Sequence, residues 1–209
     1  MTVILLIRHG DNDPMKKYLV GRSPGVHLNE QGQKQAQALA KLLETAPIQA
    51  IYCSPMERAI ETALPLAQAR NLEIQVRPGL TELDYGAWKG RTYKQLARTK
   101  VWNQLKIDPS EVRFPGGESI CEAQERGRCE LASIVAAQDE KDLVACITHG
   151  DMIRLLVAYY LDMPLRAYQK LTVFTSSITV LALSKENHAQ ILHLNQISGF
   201  DLTPPEKKE

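Results

Sequence analysis

Val3-Ile4-Leu5-Leu6-Ile7-Arg8-His9-Gly10 lies at the start of the chain, and Leu143-Val144-Ala145-Cys146-Ile147-Thr148-His149-Gly150 repeats its pattern far downstream. In each, an apolar run rich in β-branched residues ends in a polar residue, a histidine and a glycine. Short runs without polar alternation suit strands covered on both faces, as in parallel sheets flanked by helices. Strand-like and helix-like segments alternate around them, so the expected fold class is α/β: a three-layer α/β/α sandwich with a mostly parallel central sheet. In open sheets of this kind ligands bind outside the carboxyl ends of the strands, which directs attention to the residues just after each run.

Working outward, Asn29 is the expected N-cap of a helix over residues 30–44, with Ala36, Leu39, Ala40, Leu42 and Leu43 on its apolar face. Residues 50–53 read as a second strand. Ser54-Pro55-Met56-Glu57 reads as an N-cap, a first-turn proline and a capping-box glutamate, starting a helix that runs to about residue 69. Residues 72–76 suit a third strand and 77–90 a long polar loop with three glycines. Helices are expected over 92–106, 118–138 and 151–161, with Leu155, Leu156, Tyr159 and Tyr160 in the core, and late strands over 171–183 and 190–197. The expected domain covers residues 1–198. The tail, 199–209, ends Pro204-Pro205-Glu206-Lys207-Lys208-Glu209 and is expected to be disordered.

Composition narrows the function. With 209 residues and 44% hydrophobic content, the chain can build its own core. Lys and Arg number 25 against 24 Asp and Glu, a net charge of +1 that offers no general attraction to nucleic acid or an anionic membrane. A small partner is therefore expected. The opening apolar run is too short for a signal peptide or a spanning helix, so the expected location is cytoplasmic. The four cysteines, Cys53, Cys121, Cys129 and Cys146, show no CxxC or zinc-ligand spacing and are expected to be buried free thiols.

Arg8, His9, Arg58 and His149 all follow strand ends, so two arginines and two histidines should converge on one rim. Such a set suits a dianion, because guanidinium groups match phosphate oxygens bidentately and several cations are relieved only by an anion among them. Arg58, in a helical first turn, opposes the helix dipole unless an anion is near. A neutral imidazole held by a carbonyl at one nitrogen can attack phosphorus with the other, making His9 the candidate nucleophile, and Gly10 leaves space for a ligand. The leaving alkoxide needs a proton. Glu82 in Thr81-Glu82-Leu83-Asp84-Tyr85-Gly86 is the candidate acid, with Asp11 and Asp84 as competitors and Glu57 the poorer choice because the capping box uses it. Lys16, Lys17 and Arg22 could recruit an anionic substrate or form a solvated face. Tyr85 and Trp88 could line the substrate mouth or anchor the loop, and His188 and His193 are expected at surface or structural positions.

Leu6-Ile7-Arg8-His9-Gly10 resembles the RHG signature of the histidine phosphatase superfamily, which includes the cofactor-dependent phosphoglycerate mutases. Leu28-Asn29-Glu30-Gln31-Gly32, Ser54 to Ala59 with Glu61-Thr62-Ala63, Glu82 to Gly90, Phe114-Pro115-Gly116-Gly117-Glu118-Ser119 and Thr148-His149-Gly150 follow in the family's order. The resemblance implies a phosphoglycerate mutase-like fold, His9 as phosphohistidine nucleophile, and Arg8, Arg58 and His149 as phosphate ligands. It implies Glu82 as proton donor and then activator of water. Asn12, Gly21, Arg22, Tyr85 and Gly150 are the candidates for substrate contact. Many members carry a phosphate-contacting asparagine six residues after the nucleophile, where this chain has Met15; Asn12, Lys16 or Arg22 is expected to replace it.

The compact chain favours hydrolysis of small phosphomonoesters over a mutase reaction, while a binding module without turnover is a third possibility. No acidic set has magnesium or zinc spacing, so neither a metal nor another cofactor is expected. Residues 171–183 could also offer an edge to a second copy in a homodimer.

Overall fold

Ile4, Leu5, Leu6 and Ile7 are fully buried because the strand that carries them has a hydrophobic layer on each side. Val3, Leu5 and Ile7 pack into one layer, Ile4 and Leu6 into the other. This is the period-2 geometry of a strand at the centre of a sheet. The computed structural model describes residues 1–197, so the expected boundary at 198 and the tail from 199 to 209 lie outside the described residues.

The elements are β1 (Thr2–Arg8), α1 (Glu30–Leu42), β2 (Ile48–Cys53), α2 (Glu57–Arg70), β3 (Ile74–Val76), α3 (Tyr93–Leu96), α4 (Lys100–Ile107), α5 (Ile120–Ala136), β4 (Leu143–Thr148), α6 (Gly150–Tyr160), β5 (Ile178–Leu183) and β6 (Ala189–Gln196). The six strands form one sheet in the order β3-β2-β4-β1-β5-β6. β3, β2, β4 and β1 are parallel, and β5 and β6 close one side as antiparallel strands. Leu39, Ala40, Ala63 and Leu66 of α1 and α2 cover one face; Ile120, Leu131, Met152 and Leu156 of α5 and α6 cover the other. The result is the expected three-layer sandwich. Arg8 pairs with Thr148 in the β1–β4 register, so His9 and His149 leave the sheet side by side.

Several local expectations give way to tertiary contacts. Ser54 does not cap α2: Met56 occupies the N-cap without a side-chain bond, while Ser54 Oγ lies 2.7 Å from His149 Nε2. Glu57 closes no capping box and instead accepts the Gly25 N–H at 2.9 Å. The stretch 77–90 is not simply a polar loop. Short 3₁₀ turns at Pro78–Leu80 and Gly86–Trp88 bury Leu80, Leu83, Tyr85 and Trp88, with neither the helical nor the strand period to announce it. The helix expected over 92–106 breaks into α3 and α4, each capped by a threonine, Thr92 and Thr99. Of residues 171–183 only β5 is a strand; a 3₁₀ segment, Leu165–Lys170, and a turn at Ser176 precede it. β5 lies between β1 and β6, so it is not a sheet edge; the edges are β3 and β6. Cys53 and Cys146 are buried as expected, whereas Cys121 and Cys129 are exposed on α5. No helix among the described residues is long and apolar enough to cross a membrane.

The first turn of α1 abuts the segment that follows β1. Asn29 caps the helix by accepting the Gly32 N–H at 2.8 Å. A Cβ on Gly32 would stand 2.2 Å from the Asp11 carbonyl oxygen, and one on Gly10 would stand 2.8 Å from the Gly32 carbonyl oxygen. Gly10 therefore makes room for α1, not for a ligand. Both obstacles are backbone, so Gly32→Ala should destabilise the fold by about 1–3 kcal/mol despite alanine's higher helix propensity. Chemical denaturation is the measurement; an unchanged or raised midpoint would contradict this packing.

Candidate active site

Four elements bring the chemistry together: the end of β1 supplies Arg8 and His9, the first turn of α2 supplies Arg58, the N-cap of α6 is His149, and Glu82 follows the 3₁₀ turn at residues 78–80. A cavity of about 130 Å³ opens among them, lined by Arg8, His9, Asn12, Gly21, Arg58, Glu82, Tyr85 and Gly150. His149 is fully buried behind His9, their ring centroids 5.1 Å apart. A larger groove of about 600 Å³ beside α1 has Lys41 as the only charged residue of its lining among the described residues, and none of these groups.

The imidazoles are held in defined orientations. His9 Nδ1 lies 2.7 Å from the Gly10 carbonyl oxygen, which can only accept, so this nitrogen carries the proton. Nε2 keeps its lone pair, which accepts the Arg58 Nε–H at 3.2 Å. Thr62 Oγ1 accepts the Gly10 N–H at 2.9 Å and donates to the Arg58 carbonyl at 2.7 Å, tying the segment after β1 to α2. For His149, Arg58 Nη2 donates to Nδ1 at 3.1 Å, which leaves the Nε2 proton for Ser54 Oγ. Burial, followed by the charges of Arg58 and Arg8, holds His9 well below the ordinary imidazole range. Burial and Arg58 do the same to His149.

The guanidinium groups are clamped but incompletely used. Arg8 Nη1 donates to the Val173 carbonyl at 2.6 Å, and Arg58 Nη2 to the Gly21 carbonyl at 2.8 Å. Arg8 Nε and Arg58 Nη1 are buried with no hydrogen-bond partner. Burial lowers the pKa of both groups. Two unpaired cationic donors cost free energy until acceptors arrive, and an anion supplies them. Gly150 and Asp151, the first residues of α6, line the same space, so the positive end of the helix dipole faces it.

Glu82 is the cavity's available carboxyl group. Its Oε1 accepts the Leu83 N–H at 3.0 Å, and Oε2 lies 4.0 Å from His149 Nδ1. Burial first, then the charge of Asp151, pushes it up to about 7 against the pull of Arg58. The rival carboxylates are engaged elsewhere: Asp11 with Lys16 and Asn29, Asp84 with the Gly86 N–H.

Met15 lies on the cavity wall with its sulfur 3.6 Å from Arg8 Nη2 and 3.4 Å from Asn12 Nδ2. Of the three expected replacements for the family's asparagine, only Asn12 lines the cavity. Lys16 is paired with Asp11 and Asp13. Arg22 is off the cavity wall, donating from Nε to the Glu82 carbonyl at 2.7 Å and pairing with Glu118. Tyr85 lines the mouth and donates to Asp151 Oδ2 at 2.6 Å, whereas Trp88 packs against Trp102 and Phe114 and anchors the loop. Sequence reasoning missed Arg154, Asp151 and Tyr93 on the outer wall. Arg154 Nη1 pairs with Asp151 at 2.8 Å. For Asp151 and Arg154 the available signal was their placement in the first turns of the helix that follows His149; Tyr93, in α3, had none. Among the described residues, no three His, Cys, Asp or Glu side chains gather in a set that could hold a metal ion.

Comparison with known proteins identifies the family. Residues 4–197 match the model of the histidine phosphatase superfamily (branch 1). Phosphoserine phosphatase 1 of Hydrogenobacter thermophilus is 28% identical over 199 residues, covering 93% of this chain and 92% of that protein. A probable phosphoglycerate mutase of Proteus mirabilis is 30% identical over 182 residues, covering 86% and 84% respectively. The solved structure of Bacillus stearothermophilus YhfR superposes with a TM-score of 0.87 at 26% identity, covering 95% of this chain and 98% of that one.

The environments of the two imidazoles lead to a direct expectation. At pH 6, where an ordinary histidine is mostly cationic, ¹⁵N NMR of the phosphate-free protein should show His9 and His149 neutral, His9 as the Nδ1–H tautomer. Protonation of either near pH 6.5 would contradict the described site.

Proposed function

The chain belongs to the histidine phosphatase superfamily, and from that premise we propose that it hydrolyses small phosphomonoesters through a phosphohistidine on His9, without a metal ion. The observation that carries this reading is the meeting, in one small cavity, of a neutral His9 Nε2, two unpaired guanidinium donors and a carboxyl group poised near neutrality.

In the proposed sequence the phosphate dianion takes the unused donors of Arg8 and Arg58. His9 Nε2 attacks phosphorus in line, and the bond from phosphorus to the ester oxygen breaks. The leaving oxygen takes a proton from Glu82, and the alcohol departs. Water then attacks the phosphohistidine and gives its proton to the Glu82 carboxylate; the phosphorus–nitrogen bond breaks and inorganic phosphate leaves. Little covalent work falls to the protein beyond the nucleophile, and positioned cations supply the stabilisation on which phosphoryl transfer depends. A raised Glu82 pKa suits both roles, since an acid matched to neutral pH also accepts the proton back.

A cavity of about 130 Å³ suits a phosphoryl group with a small leaving group. Arg154 on the outer wall favours a leaving group that bears a carboxylate, and the two relatives above are named for phosphoserine and phosphoglycerate, both phosphorylated acids. The mutase-named relative also supports a second reading, in which the phosphohistidine passes its phosphate to another hydroxyl. A bisphosphorylated primer separates the two: isomer interconversion faster than phosphate release would establish the mutase.

Phosphate release from small phosphomonoesters should persist in EDTA and proceed through an acid-labile phosphoenzyme, and His9→Ala should lower it by about 10³-fold or more. For alkyl phosphates kcat/KM should fall as pH rises through about 7, because the first step needs the protonated form of Glu82. Full turnover by His9→Ala, or its loss with EDTA, would overturn the mechanism.

A further inference from the structure

We propose that Glu118 is a positioning residue for Glu82, aligning the carboxyl group for proton delivery to the leaving oxygen. The proposal rests on Glu82 being the proton donor.

Glu118 lies outside the catalytic cavity, and its side chain is only 14% exposed. Its carboxylate accepts four hydrogen bonds from three residues. Oε1 accepts from Arg22 Nη2 at 3.0 Å, from Arg126 Nη2 at 2.8 Å and from the Asp84 N–H at 2.8 Å. Oε2 accepts from Arg126 Nε at 3.2 Å. Each arginine uses its remaining donors on the loop that carries the acid. Arg22 Nε holds the Glu82 carbonyl at 2.7 Å, and Arg126 Nη1 holds the Gly79 and Thr81 carbonyls at 2.7 and 3.0 Å. Three backbone carbonyls around Glu82 are thus fixed by two cations that meet at the Glu118 carboxylate, with Asp84 a second, looser partner of Arg22 at 3.7 Å.

The backbone joins the same two segments. Glu118 N–H donates to the Asp84 carbonyl at 3.0 Å, and a Cβ on Gly117 would stand 2.1 Å from that oxygen. No other residue type fits the approach at residue 117. Removing the Glu118 charge leaves two guanidinium groups crowded together with a weaker acceptor between them. Their grip on the loop loosens, and the Glu82 carboxyl group shifts relative to His9. Displacements of about 1 Å in a reacting group can cost 10²-fold in rate.

A positioning role is separable from general stabilisation of the loop. Proton donation matters for a poor leaving group and hardly at all for one that departs as a stable anion. The test compares kcat/KM, which reports the first phosphoryl transfer, for phosphoserine and p-nitrophenyl phosphate in the full chain. Glu82→Gln is the reference and should lose about 10²-fold on phosphoserine while changing little on p-nitrophenyl phosphate. Glu118→Gln should show the same selectivity with a loss of about 10-fold or more, and should add little when combined with Glu82→Gln. Arg22→Met, at a partly exposed position that removes only one arm of the clasp, should show it too and carries the test if Glu118→Gln does not fold. Equal losses on both substrates, or none, in Glu118→Gln and Arg22→Met beside a selective Glu82→Gln would overturn the positioning role alone. An unselective Glu82→Gln would remove the proton-donor reading and this proposal together.

Discussion

Burying two guanidinium groups beside one another is the constraint around which this protein is arranged. Arg58 is 2% exposed, and each arginine keeps one nitrogen without a partner. Cations in such a place repel one another and lack the water that would otherwise solvate them. The carbonyls of Val173 and Gly21 take up part of their hydrogen-bonding capacity. The two histidines adjust by staying neutral. What remains is an unfilled demand for negative charge, shaped by the fixed planes of the arginines. The same charges oppose protonation of His9, so one feature both favours an anion in the cavity and keeps the imidazole neutral.

The sheet makes this arrangement possible at modest local cost. In the parallel register Arg8 lies opposite Thr148, and the two histidines follow as a consequence. α2 and α6 both begin at this rim, which gives the anion helix ends as well as side chains. The acid arrives by a different route. Glu82 sits on a segment with no regular structure of its own, held by Leu80 and Leu83 in the core and by side chains from distant parts of the chain.

This division marks what was legible in the sequence. Apolar runs ending in histidine and glycine located β1, β4 and both imidazoles, because a buried strand writes its burial on every residue. Asn29 announced α1 correctly because its cap is local, made within three residues. Ser54 misled for the opposite reason: its hydroxyl is engaged by His149, 95 residues away, and no local pattern records that competition. Arg22 is comparable. Its proximity to the nucleophile in sequence suggested substrate contact, yet its partners are Glu118 and the Glu82 carbonyl. The stretch 77–90 read as polar because 3₁₀ turns bury scattered residues without a period. Arg154 needed the third dimension to place it on the cavity wall.

The order of the strands also bears on how the chain is made. β1 precedes its partners by a long stretch of chain: β4 and β5 begin at residues 143 and 178, and Arg8 is clamped by a carbonyl at residue 173. At synthesis rates of about 5–20 residues per second, a strand with the apolar run Val3 to Ile7 waits on the order of ten seconds for its first partner. Pairings this remote in sequence form slowly. The nascent chain is therefore most vulnerable at the segment that leads into His9, and the clamp on Arg8 cannot close until residue 173 has emerged.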